Sequence, residues 1–157
     1  MNCRQEARTP PAADKKTILL VDDDPSVREM VGRVLVGEGY LVLPAANGPE
    51  ALRIAASTNI DLVLLDLNMP GLSGWDTFER LTSRDPLLAV IIITARQQQL
   101  FMAVNAGVGA LLEKPLHFPK LLKTIGNLLA ESPEARLARL SGKLAGFQYL
   151  PSRQKGL

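Results

Sequence analysis

The sequence predicts an α/β protein with a doubly wound, five-stranded parallel sheet and helices on both of its faces. Two observations lead to this class. Five short apolar segments alternate along the chain with segments whose apolar residues recur at helical spacing. The apolar segments are nearly continuous, which is typical of parallel strands that are covered on both sides. The crossover connections of such a sheet are expected to be right-handed.

The first half of this pattern holds two strand–helix units. The apolar, partly β-branched run Thr17–Val21 predicts a buried strand. A helix is expected to follow it, because Asp24 is a good N-cap and Pro25 suits the first helical position. Residues 40–45 predict the second strand, and a turn with a short helix is expected at 47–57.

The second half continues the alternation with three more strands. Residues 60–66 (IDLVLLD) and 87–94 (LLAVIIIT) predict the third and fourth strands, and the shorter run 110–114 (ALLEK) predicts the fifth. The segments that follow these strands carry apolar stripes at helical spacing. Helices are therefore expected at 75–84, 95–106 and 117–130.

Both ends of the chain differ in composition from this pattern. Residues 1–16 are rich in charge and proline and predict a disordered tail, which leaves 17–130 as the folded domain. The remainder, 131–157, predicts an amphipathic helix at 133–145 and then a frayed end. We interpret this helix as a lid on the domain, and a homodimer or partner contact is left open. Its apolar face carries Leu137, Leu140 and Leu144.

Charge and composition exclude several classes of function. The net charge is +2, but the two ends carry +2 and +3 and the domain carries −3. The domain therefore lacks the basic face of a nucleic-acid-binding protein. No apolar run approaches the ~20 residues of a membrane helix, and the N-terminus has no apolar signal core, so we expect a cytoplasmic protein. The single cysteine, Cys3, cannot form an internal disulfide.

Charged and hydroxyl side chains stand at the ends of the predicted strands, where parallel α/β sheets form their sites. Asp22 and Asp23 follow the first strand, and Asp66 ends the third. Thr94 ends the fourth strand and Lys114 the fifth. Clustered carboxylates repel one another and favour a bound cation, and an all-oxygen set of ligands points to Mg²⁺.

The same residues predict a phosphoryl acceptor. The Asp66 carboxylate is a nucleophile that can form an acyl phosphate. Mg²⁺ and Lys114 would stabilise the charge on the phosphoryl oxygens, because this reaction depends mostly on positioning and electrostatics. Thr94 would donate a hydrogen bond to one of those oxygens.

Four motifs, ILLVDDDPSVRE, DLVLLDLNMPGLSGWD, IIITAR and LLEKP, occur in this order within residues 17–130. Together they resemble the receiver domain of two-component response regulators. The resemblance implies a flavodoxin-like sheet with strand order 2-1-3-4-5. It also implies a signalling switch rather than an enzyme, since a receiver catalyses only its own phosphorylation and slow self-dephosphorylation.

The resemblance implies a role for each acidic residue. Asp66 would be the phosphorylated aspartate and would also bind Mg²⁺. Asp23 would be the closer Mg²⁺ ligand of the acidic pair, and Asp22 would act largely through water. The backbone carbonyl of Asn68 would complete the protein's share of the metal shell.

The resemblance also implies the remaining parts of the switch. Thr94 would be the switch hydroxyl, and the bond between Lys114 and Pro115 would be cis. The phosphoryl donor would be a phosphohistidine on a sensor histidine kinase or a histidine phosphotransfer protein. Phosphorylation would change the surface around the fourth strand, the helix after it and the fifth strand, and an unnamed downstream protein would bind that surface.

One residue departs from the family pattern. Receivers usually carry Tyr or Phe at the position of Leu111, and that aromatic turns inward when the threonine moves toward the phosphate. Leucine is smaller and cannot hydrogen-bond, so the departure affects output coupling and not the phosphorylation chemistry. The alternative function is a protein-interaction module that no longer switches. A phosphohydrolase is disfavoured, because such enzymes carry a DxD motif after the first strand and Asn68 replaces the second acid here.

Overall fold

The structure is a computed structural model that describes residues 15–68, 73–95, 103, 107–140 and 147–151. In this part of the chain, one sheet contains six strands, and every neighbouring pair is parallel. The strands are β1 (Thr17–Val21), β2 (Leu41–Ala45), β3 (Leu62–Asp66), β4 (Ala89–Thr94), β5 (Ala110–Glu113) and β6 (Gln148–Leu150). Their order across the sheet is β2-β1-β3-β4-β5-β6. The outer strands are thus β2, which contains Pro44, and β6, which Pro151 follows.

The described helices are α1 (Pro25–Gly37), α2 (Gly48–Ser57), α3 (Gly74–Arg84), α4 (Phe118–Leu129) and α5 (Pro133–Leu140). Each of the first four helices is preceded by an N-cap residue whose side chain accepts a hydrogen bond from a backbone N–H of the first turn. This bond satisfies one of the N–H donors that have no partner within the helix. These caps are Asp24, Asn47, Ser73 and His117. The predicted N-cap role of Asp24 is confirmed.

Two apolar clusters sandwich the sheet. The cluster on one face joins Ile18 and Leu20 of β1 to helices α1 and α4. The cluster on the other face joins the alternate residues of β1, Leu19 and Val21, to helices α2 and α3. This alternation is the period-two geometry of a strand, and it explains why the predicted strands read as continuous apolar runs.

The predicted doubly wound parallel sheet is confirmed, but its strand count is corrected. Strands β1 to β5 lie within the predicted segments and in the predicted order 2-1-3-4-5. Residues 148–150, for which no strand was expected, form a sixth strand on the open side of β5. A segment of three residues is too short to show a period, so only the free edge of β5 gives it a regular structure.

The C-terminal helix makes a different contact from the predicted one. Leu137 and Leu140 of the expected apolar face are 54% and 41% exposed, whereas Arg139 is only 4% exposed. The Arg139 Nε–H donates to the carbonyl oxygen of Gly107 at 3.2 Å, and its guanidinium pairs with Glu131. The contacts of helix α5 with the domain thus include two arginines, since Arg136 donates to the carbonyl oxygens of Leu87 and Leu128.

Several predictions concern residues outside the described ranges. They are the tail at 1–14, the loop at 69–72, most of the helix predicted at 95–106, and the end of the helix predicted at 133–145. Among the described residues, no helix combines the length and the apolar character that crossing a bilayer requires.

Candidate functional site

Four neighbouring strands bring the predicted site residues to one edge of the sheet. Asp22 directly follows β1, and Asp66 is the last residue of β3, which pairs with β1. Thr94 ends β4 and Lys114 follows β5, so each adjacent strand adds one polar side chain. Asp22, Asp66 and Thr94 are almost completely buried, at 1%, 1% and 0% exposure.

The two buried carboxylates are held in the same way. One oxygen of each accepts a hydrogen bond from the backbone N–H two residues further on. These bonds join Asp22 Oδ1 to the Asp24 N–H and Asp66 Oδ1 to the Asn68 N–H, both at 2.9 Å. The other oxygen of each carboxylate faces Lys114, whose Nζ lies 3.1 Å from Asp66 Oδ2 and 3.5 Å from Asp22 Oδ2. One ammonium therefore serves two buried acids.

The pKa values of the site reflect this shortage of positive charge. Burial, followed by the repulsion of Asp66, raises the pKa of Asp22 above its ordinary value, although the Asp24 N–H and Lys114 oppose the shift. Burial alone would lower the pKa of Lys114, but the hydrogen bond and charges of Asp66 and Asp22 outweigh it and raise that pKa. Lys114 therefore stays protonated, but its single positive charge does not balance the two negative charges of Asp22 and Asp66.

A third acid completes an oxygen cluster at this edge. Carboxylate oxygens of Asp22, Asp23 and Asp66 lie within 4.8 Å of one another, and Asp23 is exposed to solvent. A hard cation with oxygen ligands suits this donor set, and Mg²⁺ usually takes only one or two carboxylates and keeps several waters. The residues therefore fit Mg²⁺. The carbonyl of Asn68 remains a predicted ligand, since the observed contact of Asn68 is through its N–H.

The loop that carries the acidic pair has its own anchor. Arg28, in the first turn of α1, donates from Nη1 to the backbone carbonyl oxygen of Asp22 at 2.6 Å. The side chain of Asp24 points away to cap α1, where it accepts from the Ser26 N–H at 2.8 Å. Thus, of the three consecutive acids, two belong to the oxygen cluster and the third is structural.

Other residues considered from the sequence lie apart from this cluster. His117 caps α4 through its Nδ1, and Trp75 packs edge-on against Phe78 with ring centroids 5.7 Å apart. Leu111 is fully buried in the cluster that faces α2 and α3. The Lys114–Pro115 peptide bond is cis, as predicted.

Comparison with known proteins identifies this arrangement. The family profile described as the response regulator receiver domain matches residues 18–126, which is most of the chain. The chain belongs to the response regulator receiver family. The predicted resemblance and fold class are confirmed. The receiver is accordingly a domain of two-component signalling, a class of protein that acts as a phosphorylation-dependent switch.

Curated relatives of this receiver include two regulatory proteins. It is 36% identical over 120 residues to the transcriptional regulatory protein GlrR of Escherichia coli (strain K12), covering 75% of this chain and 27% of the relative. It is 40% identical over 112 residues to the positive alginate biosynthesis regulatory protein of Pseudomonas aeruginosa, covering 69% and 45%. The receiver thus spans less than half the length of these relatives. The rest of each relative lies outside the aligned residues.

Solved structures match the receiver across nearly their full length. A CheY-like receiver domain protein from Methanospirillum hungatei JF-1 is 30% identical with a TM-score of 0.70, covering 73% of this chain and 94% of that chain. Response regulator TrrA from Thermotoga maritima, determined in complex with Mg²⁺ and BeF, is 34% identical with a TM-score of 0.67, covering 72% and 98%.

Sequence reasoning missed three residues around the site. Arg28 was not singled out, although a basic side chain one turn after three acids is a natural partner for their loop. Glu113, at 6% exposure, and Tyr149, whose hydroxyl donates to it, were also missed. No sequence pattern pointed to these two, because the strand that carries Tyr149 is too short to show a period.

Proposed function

We propose that Asp66 is the phosphoacceptor of this receiver and that Thr94 and Lys114 complete its reaction site. The observation that carries the proposal is the convergence of two buried carboxylates, Asp22 and Asp66, on the single ammonium of Lys114. A buried acid cluster with one cation is costly for stability. Such an arrangement is expected where the missing positive charge arrives with a ligand.

The reaction requires no further protein group. An oxygen of the Asp66 carboxylate attacks phosphorus, the bond between phosphorus and the donor imidazole nitrogen breaks, and that nitrogen then takes a proton from solvent. The Lys114 ammonium, already 3.1 Å from Asp66 Oδ2, neutralises charge on the phosphoryl group. The Thr94 hydroxyl, at the adjacent strand end, donates to a phosphoryl oxygen once the group is in place.

We propose that Asp22, Asp23 and Asp66, with the carbonyl of Asn68, hold Mg²⁺. The metal would supply positive charge to the phosphoryl oxygens. The oxygen cluster of the three acids supports this assignment, as does the Mg²⁺ reported with the similar receiver TrrA. The raised pKa of Asp22 agrees with this assignment, because burial, followed by the repulsion of Asp66, disfavours its charged form and a cation would favour that form.

We propose that the phosphohistidine donor, a sensor histidine kinase or a phosphotransfer protein, docks in an apolar groove beside the site. The groove has a volume of about 470 Å³, and Lys114 forms one of its walls. Met30 of α1, at 50% exposure, lies in it. The other lining residues are Val27, Pro115, Leu116 and Phe118. A donor seated there would reach Asp66 across Lys114. The downstream partner, a homodimer and the cytoplasmic location stay predictions.

Intact mass after incubation with Mg²⁺ and acetyl phosphate tests the phosphoacceptor. We expect a gain of one phosphoryl group, roughly 80 Da, that EDTA and Asp66→Asn both abolish. Asp24→Asn is the matched control, because asparagine caps a helix as well as aspartate and this acid is outside the cluster. Failure of the wild type to gain mass would favour the module that binds partners without switching.

A further inference from the structure

Strand β6 is an outer strand of the sheet and pairs with β5, the strand that Lys114 follows. It pairs in parallel with β5, with Tyr149 opposite Leu111, and the Gln148 N–H donates to the carbonyl oxygen of Gly109 at 3.2 Å. Three residues of pairing give little stability alone, so β6 depends on its side chains. Phe147 and Tyr149 pack on the cluster that faces α2 and α3, and Leu150 packs on the opposite cluster.

Tyr149 has the one polar side-chain contact described for this segment. Its hydroxyl donates to Oε1 of Glu113, the last residue of β5, and Glu113 is 6% exposed. Glu113 is in turn the register partner of Thr94, the last residue of β4. Because register partners on neighbouring strands project to the same face, Glu113 and Thr94 lie side by side.

These residues are connected step by step across the ends of four strands. Asp66 of β3 pairs with Ile93, the residue before Thr94 on β4, and Thr94 pairs with Glu113 of β5. Glu113 then accepts the hydrogen bond of Tyr149 on β6. A phosphoryl group on Asp66 draws the Thr94 hydroxyl toward β3. Since β4 lies between β3 and β5, the same movement takes the Thr94 side chain away from Glu113.

The space left by Thr94 has to be refilled, because protein interiors are close-packed and a void forfeits contacts on all of its walls. Leu111 is fully buried and is held by strand pairing on both sides. Tyr149 is only partly buried and belongs to a strand of three residues. Tyr149 is therefore the neighbour that can move inward, together with Glu113.

We propose that Tyr149 is a positioning residue that couples the C-terminal segment to the phosphoacceptor, so that phosphorylation of Asp66 tightens the docking of residues 147–151 on β5. The inference rests on the proposed function. It assigns to a segment outside the family match at 18–126 a response to the site. Linkage requires the converse as well: a docked β6 favours the phosphorylated form by the same factor.

Hydrogen exchange of residues 147–151 tests the proposal, with Mg²⁺ and beryllium fluoride as a stable mimic of the phosphoryl group. We expect the mimic to slow exchange in this segment by at least about fivefold, the lower end of typical coupling between sites. Tyr149→Phe removes only the hydroxyl. In that variant, we expect the added protection to be lost and the affinity for beryllium fluoride to fall by the same factor.

Tyr40→Phe is the matched control, since Tyr40 is the other tyrosine of the chain and precedes β2 at the far edge of the sheet. It should behave like the wild type in both measurements. If beryllium fluoride binds the wild type but exchange at 147–151 is unchanged or faster, this inference is overturned and the proposed function stands. If the mimic does not bind and acetyl phosphate adds no mass, both are overturned.

Discussion

At the scale of single residues, the site is defined by an imbalance of charge. Two carboxylates with 2% exposed side chains share one lysine, and a third acid stands in solvent beside them. Removing a carboxylate from water costs several kcal/mol, on the order of what one well-placed ion pair returns. The unmodified, metal-free receiver is therefore less stable because of this acidic cluster.

Asp22→Asn is expected to stabilise the metal-free receiver. The amide oxygen can still accept from the Asp24 N–H. The substitution removes the negative charge that burial and the repulsion of Asp66 disfavour. At pH 7 in EDTA, we expect the free energy of unfolding to rise by about 1 kcal/mol, measured by urea denaturation. With Mg²⁺ the order should reverse, because the variant loses a ligand.

The effect of Asp22→Asn should depend on pH in a defined direction. Because the folded pKa is raised, the ionised form destabilises the fold above that pKa, and the penalty fades as pH falls toward the unfolded value of 3.8. The gain in the variant should therefore be full at pH 7 and almost absent at pH 3.5. A loss of stability at pH 7 would show that the Lys114 pairing outweighs burial.

Tyr149 is expected to ionise unusually late. Its hydrogen bond to Glu113, followed by burial, raises the pKa of Tyr149 to about 12. The pKa of Tyr40, the other tyrosine, is also raised, but by burial and then by the charge of Glu38. The stabilisation from this hydroxyl is present below pH 10, the unfolded value, and is lost as pH rises toward 12. Ultraviolet titration of Glu113→Gln should show an earlier transition, and Tyr149→Phe should lack the late one.

How far single residues could be predicted depended on what they follow. Asp66, Thr94 and Lys114 end apolar runs, so the strand-end rule is enough to locate them from the sequence alone. Glu113 also ends a strand, but a carboxylate before a lysine reads as surface charge. Its burial depends on the hydroxyl of Tyr149, which is 36 positions away, and no local pattern reports such a contact.

At the scale of elements, helix starts are packed against strand ends. Gly74, the first residue of α3, lies against the end of β3, the strand that ends at Asp66. A Cβ at this position would come within 2.7 Å of Leu67 Cα and 3.1 Å of the Asp66 carbonyl oxygen. The close approach needs glycine for space, and it brings the start of α3 directly against Leu67.

Gly74→Ala is expected to destabilise the receiver by about 1–3 kcal/mol and to slow phosphorylation by acetyl phosphate, because backbone atoms at Leu67 must shift. Gly126→Ala is the matched control within α4, where a Cβ meets nothing within 4 Å. It should stabilise by about 0.5–1 kcal/mol through helix propensity. Urea denaturation and the initial rate of mass gain measure the two effects, and equal shifts in both variants would contradict this account.

Met30→Lys is expected to separate protein donors from small ones. It places a charge in the apolar groove beside Lys114, so phosphotransfer from a phosphohistidine protein that serves the wild type should slow at least tenfold. Phosphorylation by acetyl phosphate should be unchanged. Val36→Lys is the control, since Val36 is 60% exposed on the same helix but does not line the groove. Equal loss with both donors would place the defect in the reaction site.

Elements were predictable where the chain pattern was long enough. The first five strands are apolar runs of four to six residues, and the helices between them carry apolar residues at helical spacing, so both kinds of element could be predicted. Strand β6 could not be predicted, because three residues show no period. The contacts of α5 could not be predicted either, because its leucines form an apolar stripe in the sequence but are largely exposed in the fold. The decisive contact was instead a buried arginine.

At the scale of the whole molecule, α5 is the connection between the family domain and β6. Arg139 joins the carbonyl oxygen of Gly107, ahead of β5, to Glu131, ahead of α5. Leu140 lies against the same glycine, which has a positive φ of 74° and no room for a Cβ. The C-terminal segment is thus positioned twice: α5 contacts Gly107, just before β5, and β6 pairs with β5 itself.

Arg139→Ala is expected to cost about 3 kcal/mol, because the half-buried Glu131 then keeps only its longer ion pair with Arg136, at 3.7 Å. We also expect faster hydrogen exchange at 147–151, since α5 would lose its hold on the segment before β5. Glu134→Gln, an exposed change on the same helix, is the control. Unchanged exchange at 147–151 despite lower stability would mean that β6 docks independently of α5.

The outer strands have a consequence for the behaviour of the receiver at high concentration. An uncovered sheet edge is a template on which further chains can polymerise. Here one outer strand contains Pro44, which lacks a donor, and the other is only three residues long and is followed by Pro151. Neither rim offers a long row of unpaired peptide groups. The protein should therefore resist fibril growth and remain free of amyloid-like deposits during prolonged storage.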